Sequence, residues 1–297
     1  MRDASYKNLI ESLKKEGLFF TESSMIHQGE YSCADADWNY KDIPHLNELH
    51  GLVNGVTTAI QDDLISTIFL QRVGPLRLPL SVTNYAADLN SQIYHTTCGP
   101  FCLIIQTAWE GTGTSQTRVT TTYSLGSSRF FIPFHKIGHL LLRNNFRNLM
   151  KVDVPMRERR GALRSRGYSF SNDKNGYSFK TSLNLAVKNL VYPPSLMPSD
   201  WQLQLQDIPQ GRTLLGSAED QGLIVEREEE SLSIFNRTCI HEGALLDKAM
   251  FQNGCLKCPW HGKRIKPDSV VDLSTIDNSI LKVNVFGPVI KVSYGES

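Results

Sequence analysis

Between residues 58 and 125 the chain alternates apolar and polar positions in short β-rich runs: Leu64-Ile-Ser-Thr-Ile-Phe-Leu, Phe101-Cys-Leu-Ile-Ile-Gln-Thr-Ala-Trp and Thr117-Arg-Val-Thr-Thr-Thr-Tyr. A period of two puts alternate side chains on one face, so these runs predict strands. Gly-Pro and Gly-Thr-Gly turns between them predict an antiparallel sheet. The period then changes. From Phe134 to about Arg147 apolar residues recur at helical spacing, with Ile137, Leu140, Leu141 and Phe146 prominent, which predicts a helix across or beside the sheet. An amphipathic helix is also expected at the N-terminus. Downstream of Trp201 about ninety-five residues read as short strands with frequent turns, a small all-β module. The segment Val191–Asp200 holds three prolines in ten positions, which neither a helix nor a central strand tolerates. The expected organisation is an α+β domain over residues 1–195 followed by a small all-β domain over 196–297.

Composition supports packed domains: 40% of the 297 residues are hydrophobic and 21% charged. A formal charge of +1 gives no overall electrostatic footing for nucleic acid or an anionic membrane. No stretch approaches ~18 uninterrupted apolar residues, so no membrane span is expected. The N-terminus carries charges throughout and does not read as a signal peptide; a cytoplasmic protein is the expectation. Three of the six cysteines (Cys239, Cys255, Cys258) fall within twenty positions, which favours thiol or metal chemistry over a disulfide scaffold.

Those cysteines belong to a pattern. Cys239-Ile-His241 is followed, after sixteen intervening residues, by Cys258-Pro-Trp-His261. With 6 Cys and 8 His in 297 positions either short pair arises by chance roughly 0.16 times, and both at one fixed gap about once in thousands of such chains. Two thiolates suit one iron of a [2Fe–2S] unit, and two neutral imidazoles at a loop tip suit the other and raise its potential. A Cys₂His₂ zinc site is the rival, with Cys255-x-x-Cys258 as an alternative thiolate pair, although the one-residue C-x-H spacing is unusual for zinc. Cys255 otherwise reads as a small buried hydrophobe.

Two histidine pairs stand in the first domain. His45 and His50 are five apart and diverge by ~140° on a straight helix, so both reach one metal only if the helix bends, bulges or ends between them. His135 and His139, at i and i+4, share a helical face, and spacing alone favours them.

The segment with His241-x-Gly-Ala and Cys258-Pro-Trp-His-Gly closely resembles the cluster-binding loops of Rieske proteins, over roughly residues 200–295. The inter-loop disulfide of the respiratory branch is missing, its positions being Ala244 and Trp260, which resembles the low-potential ferredoxins and oxygenases. Asp42-x-x-His45-x-x-x-x-His50 in turn resembles the mononuclear-iron motif of Rieske non-haem iron oxygenases, whose catalytic domain is a helix-grip fold. The resemblance implies an Fe(II) facial triad of His45, His50 and a carboxylate. Asp153, in Met150-Lys-Val-Asp153-Val-Pro after the expected helix, resembles the third ligand, with Glu158 as fallback. Asp42 would accept a hydrogen bond from His45 and bridge to a Rieske histidine of a neighbouring subunit, which implies a possible homotrimer. Here the Rieske module follows the catalytic domain, the reverse of the usual order.

The oxygenase reading implies O₂ and a largely apolar organic substrate. Gly111-Thr-Gly113-Thr-Ser-Gln lacks a third glycine and a following helix and reads as a hairpin turn, so electrons are expected from a separate reductase or ferredoxin. Cys98 and Cys102 could form a redox pair but read better as structural, and the basic run Arg157–Arg166 could dock an acidic electron donor but reads better as a solvated face. The competing reading is a Rieske electron-transfer or sensory protein whose first domain binds an apolar ligand without chemistry.

Overall fold

The computed structural model describes residues 2–50, 53–73, 76–113, 115–173, 176–275 and 280–295. Its contacts divide into two units, Met1–Ala162 with Asn175–Asn184, and Leu163–Lys174 with Leu185–Ser297.

In the first unit, α1 (Arg2–Lys15) packs Tyr6 and Ile10 against Ile93 and Ile104 of the sheet, with Leu9 and Leu13 alongside. That spacing is one face of a helix. Next come β1 (Phe19–Gly29), α2 (Cys33–Lys41) and α3 (Ile43–Leu49). Six strands follow: β2 (Val53–Ile60), β3 (Leu64–Val73), β4 (Leu76–Asp88), β5 (Ser91–Cys98), β6 (Phe101–Gly111) and β7 (Thr117–Ser127). They form one antiparallel sheet of order β1-β7-β6-β5-β4-β3-β2, a meander that β1 joins beside β7. The β6–β7 hairpin closes through Thr112 N–H donating to the Gln116 carbonyl, 2.9 Å.

The long helix α4 (His135–Ser165) completes a helix-grip fold. The sequence pattern ends this helix near Arg147, ahead of Asp153; the structure carries it eighteen residues further, with Asp153 inside it. Pro155 removes one backbone donor and conceals the continuity. Burial sustains the second half: Met156 and Leu163 are apolar anchors, and Arg157 and Arg160 are 0% exposed. The expected solvated basic face is therefore partly core. Arg160 pairs with buried Asp35 at 2.9 Å and lies 4.1 Å over the Trp38 ring.

The second unit is built from small antiparallel sheets, the shortest a pair of β8 (Ser169–Phe170) and β9 (Leu190–Val191). One has the order β10 (Ser199–Gln204), β18 (Ile280–Phe286), β19 (Val289–Gly295). Another runs β11 (Gly211–Leu215), β12 (Leu223–Glu228), β13 (Ser231–Asn236), β17 (Ser269–Asp272), and a third β14 (Met250–Gln252), β15 (Cys255–Lys257), β16 (Arg264–Ile265). Strands β12, β13, β17 and β18 share a core of Leu223, Val225, Leu232, Ile234, Val271 and Leu281.

Residues 163–174 and 185–195, on the first-domain side of the proline-rich segment, pack with this second unit. Leu163, Tyr168, Phe170 and Leu190 form a cluster with Tyr192 and Leu196. Backbone bonds from Asn189 and Leu190 to the carbonyls of His241 and Ile240 tie that cluster to the first Cys–His loop. The prolines punctuate a loop inside the unit.

Candidate metal centres

Ser32 caps α2 and forms a reciprocal capping box with Asp35, which fixes where the helix begins. The chain breaks at Asp42 (φ −79°, ψ 81°), and α3 starts with Pro44 in its first turn, where a missing N–H costs nothing. Seven residues later α3 ends, and His50 occupies its C-cap. The helix thus stops between His45 and His50, which is the condition their five-residue spacing requires.

Their Nε2 atoms turn toward one oxygen. Asp153 Oδ1 lies 2.7 Å from His50 Nε2 and 3.6 Å from His45 Nε2. One ligand atom from each residue falls within 4.8 Å of the others. His45 Nδ1 faces Asp42 Oδ2 at 3.4 Å. At 3.4 and 3.6 Å neither ring nitrogen of His45 makes a well-formed hydrogen bond, although the residue is only 2% exposed. With Nδ1 turned to Asp42, the buried Nε2 of His45 stands 3.6 Å from Asp153 Oδ1, a gap that fits a cation held between the two. Glu158, the fallback ligand, is exposed and lies outside this group.

Electrostatics follow from that geometry. Burial alone lowers the pKa of His45, but Asp153 and Asp42 outweigh it and lift it to about 10. Burial raises Asp153, and the two histidines together with Arg157 reverse this and hold it well below the usual carboxylate range. An ionised acid facing two histidines is the donor set of a two-histidine, one-carboxylate metal site, where a bound cation would take the place of the proton that Asp153 and Asp42 favour on His45.

Arg157 backs the acid from one helical turn on. Its Nη2 is 3.9 Å from Asp153 Oδ2, and Asn39 Oδ1 accepts from its Nε and Nη2 at 2.8 and 2.6 Å. Nη1 donates to His27 Nε2 at 2.9 Å, and the guanidinium lies 4.3 Å over the Tyr40 ring. Burial and the Arg157 cation push His27 down to about 4, so it stays neutral. The i, i+4 relation of Asp153 to Arg157 is the one local sign of this cluster in the sequence.

His50 also lines a cavity of about 820 Å³ between the sheet and α4. Its walls include Ile65, Val82, Leu103 and Tyr123 from the strands and Leu142 and Phe146 from α4. The lining is overwhelmingly apolar, which suits an organic molecule of moderate size.

The rival pair has a different role. His135 Nδ1 and His139 Nε2 both meet Thr21 Oγ1, at 2.8 and 2.9 Å. His135 Nε2 meets Ser127 Oγ at 2.7 Å, and His139 Nδ1 meets Ser23 Oγ at 2.8 Å. With all four nitrogens engaged by hydroxyls, the pair ties α4 to β1 and β7.

In the second unit the two Cys–His segments form the same turn twice. The N–H of the glycine four residues after each cysteine donates to that cysteine's carbonyl, Gly243 to Cys239 and Gly262 to Cys258, both at 2.9 Å. Each cysteine N–H donates five residues ahead, to Ala244 and Lys263, both at 2.8 Å. Both glycines take positive φ, 84° and 64°, where a side chain is strained. The four residues fall into two like pairs. The thiols of Cys239 and Cys258 adjoin, which lowers the pKa of the first and raises the second. His241 and His261 face each other through Nδ1 atoms 3.2 Å apart. One thiol pair and one imidazole pair are the donor set for two irons of unlike ligation. Both imidazoles are buried, at 3% and 6% exposure, whereas a loop tip would leave them open. Their rings pack edge to face at 4.8 Å, and Trp260 stands against His261. Cys255 and Cys102 carry free thiols, while the Cys98 side chain lies outside the described residues.

The family comparison accords with the paired Cys–His turns. Residues 201–277 match the family model of the Rieske [2Fe-2S] domain, and both Cys–His turns fall inside the match. Residues 201–277 form a Rieske domain, which implies a [2Fe–2S] cluster. No curated protein sequence matches the chain. Solved structures similar to this chain include the Thermus thermophilus protein TTHA0849, at 15% identity over 44% of this chain and 92% of that one, TM-score 0.37. The Zhui aromatase/cyclase from Streptomyces sp. R1128 is similar at 9% identity over 48% and 96%, TM-score 0.41. A START superfamily protein from Mycobacterium smegmatis is similar at 8% over 45% and 97%, TM-score 0.37. No helix among the described residues is long and apolar enough to cross a membrane.

Proposed function

We propose that the protein is a Rieske-type oxygenase that takes electrons from a separate reductase or ferredoxin and uses O₂ to oxidise a largely apolar organic substrate. One observation carries the reading: His45, His50 and Asp153, remote in sequence, bring ligand atoms within 4.8 Å of one another, and one of them lines the apolar cavity. Cys239, His241, Cys258 and His261 hold the [2Fe–2S] cluster in this reading. When bound at the triad, Fe(II) supplies the redox centre at which O₂ is activated. The chain's own residues do the rest. Asp153 contributes Oδ1 to the site while Arg157 faces Oδ2, and Asp42 orients His45 through Nδ1. The apolar cavity walls hold substrate beside His50. Asp42 is proposed to link this site to a cluster histidine of a neighbouring subunit.

Metal analysis of anaerobically reconstituted protein tests the reading. About three irons per chain are expected, falling to about two in His45→Ala with the cluster spectrum intact. Two irons in the wild type would leave a redox relay with a ligand-binding domain. Colourless protein without sulfide would leave a zinc module.

A further inference from the structure

The even charge balance of the whole chain hides an uneven distribution around the mouth of the cavity. Phe134, Ile137 and Leu141 line the cavity and are themselves 51%, 58% and 63% exposed, so the cavity opens to solvent past these side chains. Phe130 and Leu140 stand beside them at 79% and 57% exposure. Five large apolar side chains, all more than half exposed, thus fall within twelve consecutive residues. Burial of the cavity walls does not require Phe130 and Leu140, since neither lines it.

The charges in the same stretch have one sign. Residues 129–152 contain Arg129, Lys136, Arg143, Arg147 and Lys151, all exposed, and no Asp or Glu. At ~100° per residue Lys136, Arg143, Arg147 and Lys151 fall within a stripe ~80° wide along α4, with Leu140 inside it and Ile137 and Leu141 on its cavity side. Exposed apolar residues bordered by a pure basic stripe form the pattern of a helix that lies in a lipid interface. Nucleic acid would use the bases but not the five apolar side chains.

We propose that the 129–151 face is a docking surface for an anionic lipid bilayer. The apolar side chains enter the acyl boundary and the five bases sit at the headgroups, which places the cavity mouth against the membrane. An apolar substrate dissolved in lipid then reaches the cavity without crossing water. That last step rests on the proposed function; the docking itself rests on exposure and charge alone and holds whether or not His45 binds iron.

Vesicle cosedimentation of the cluster-loaded full chain tests it. The probes are phosphatidylcholine vesicles and vesicles of three parts phosphatidylcholine to one part phosphatidylglycerol. Binding is expected only to the anionic vesicles, with strong weakening between 50 and 500 mM salt. Lys136→Glu with Arg143→Glu is expected to weaken binding at least ~30-fold, from the loss of two bases at the surface. Phe130→Ser with Leu140→Ser is expected to weaken binding at low salt while leaving iron content and the thermal midpoint unchanged. No binding to anionic vesicles, or binding unaffected by both double variants, would overturn the proposal. So would a concentration-dependent dimer that Phe130→Ser with Leu140→Ser dissolves without vesicle binding, which assigns the face to a second copy of the chain.

Discussion

Replacing Arg157 with methionine removes a fully buried cation while keeping most of its volume. The guanidinium gives two charge-assisted bonds to Asn39 Oδ1 and one to His27 Nε2, and lies 4.3 Å over the Tyr40 ring. Bonds to charged groups contribute about 1.5–3 kcal/mol each, and a desolvated cation–π contact about 2 kcal/mol. These values do not add, because the folded protein has already paid to desolvate the cation. The larger consequence is what remains: Asn39 Oδ1 loses its donors, and Asp153 keeps a buried negative charge with one fewer counter-ion. Breaking such a buried pair costs about 3–5 kcal/mol. In a unit of this size that lowers the thermal midpoint by about 6–20 °C. Calorimetry and far-UV circular dichroism on the full chain read it directly. Arg157→Lys is expected to recover less than half of the loss, since an ammonium cannot fork onto one amide oxygen and spread over a ring. A midpoint for Arg157→Met within ~2 °C of wild type would refute the argument that this cation braces the acid.

Further outcomes follow from other sites. Gly243→Ala forces a side chain onto a residue at φ 84° and sets its Cβ 2.6 Å from Leu163 Cδ1; a loss of about 1–3 kcal/mol and faster bleaching of the cluster are expected, and unchanged melting and colour would count against the turn's role. Asp42→Asn is expected to retain about three irons but lower turnover at least tenfold, while full turnover would remove Asp42 from the electron path. His27, held at about 4 in the folded protein against 6.5 when free, takes up its proton in the unfolded state first as pH falls. Its contribution is complete above pH 6.5 and declines between 6.5 and 4, by about 3 kcal/mol in all. Urea unfolding across that range should show a shallower pH slope in His27→Gln, and equal slopes would refute the assignment.

Much of this was legible in the sequence where short-range spacing decides the outcome. Alternation over 58–125 gave the meander, and C-x-H with C-x-x-H carried the Rieske turns, because both are local patterns. Spacing by itself favoured the histidine pair that the fold employs for something else. An i, i+4 relation puts His135 and His139 on one face, but it does not reveal that three hydroxyls on β1 and β7 already meet them. The length of α4 was hidden by Pro155, a residue that ends most helices and here is outweighed by the buried face beyond it. Arg157 and Arg160 read as surface because a basic run usually is one. Their partners Asn39 and Asp35 lie more than a hundred residues away, where no periodicity reaches.

The hydroxyls around His135 and His139 have a consequence for metal loading. Two imidazoles one turn apart make a ready trap for stray zinc or copper, and such a trap near the cavity mouth would compete with the intended ion during maturation. Thr21, Ser23 and Ser127 disarm that decoy by occupying every lone pair and proton it has. Stripping all three to alanine would therefore be expected to create a misloading site, visible as an extra equivalent of bound zinc that wild-type protein refuses.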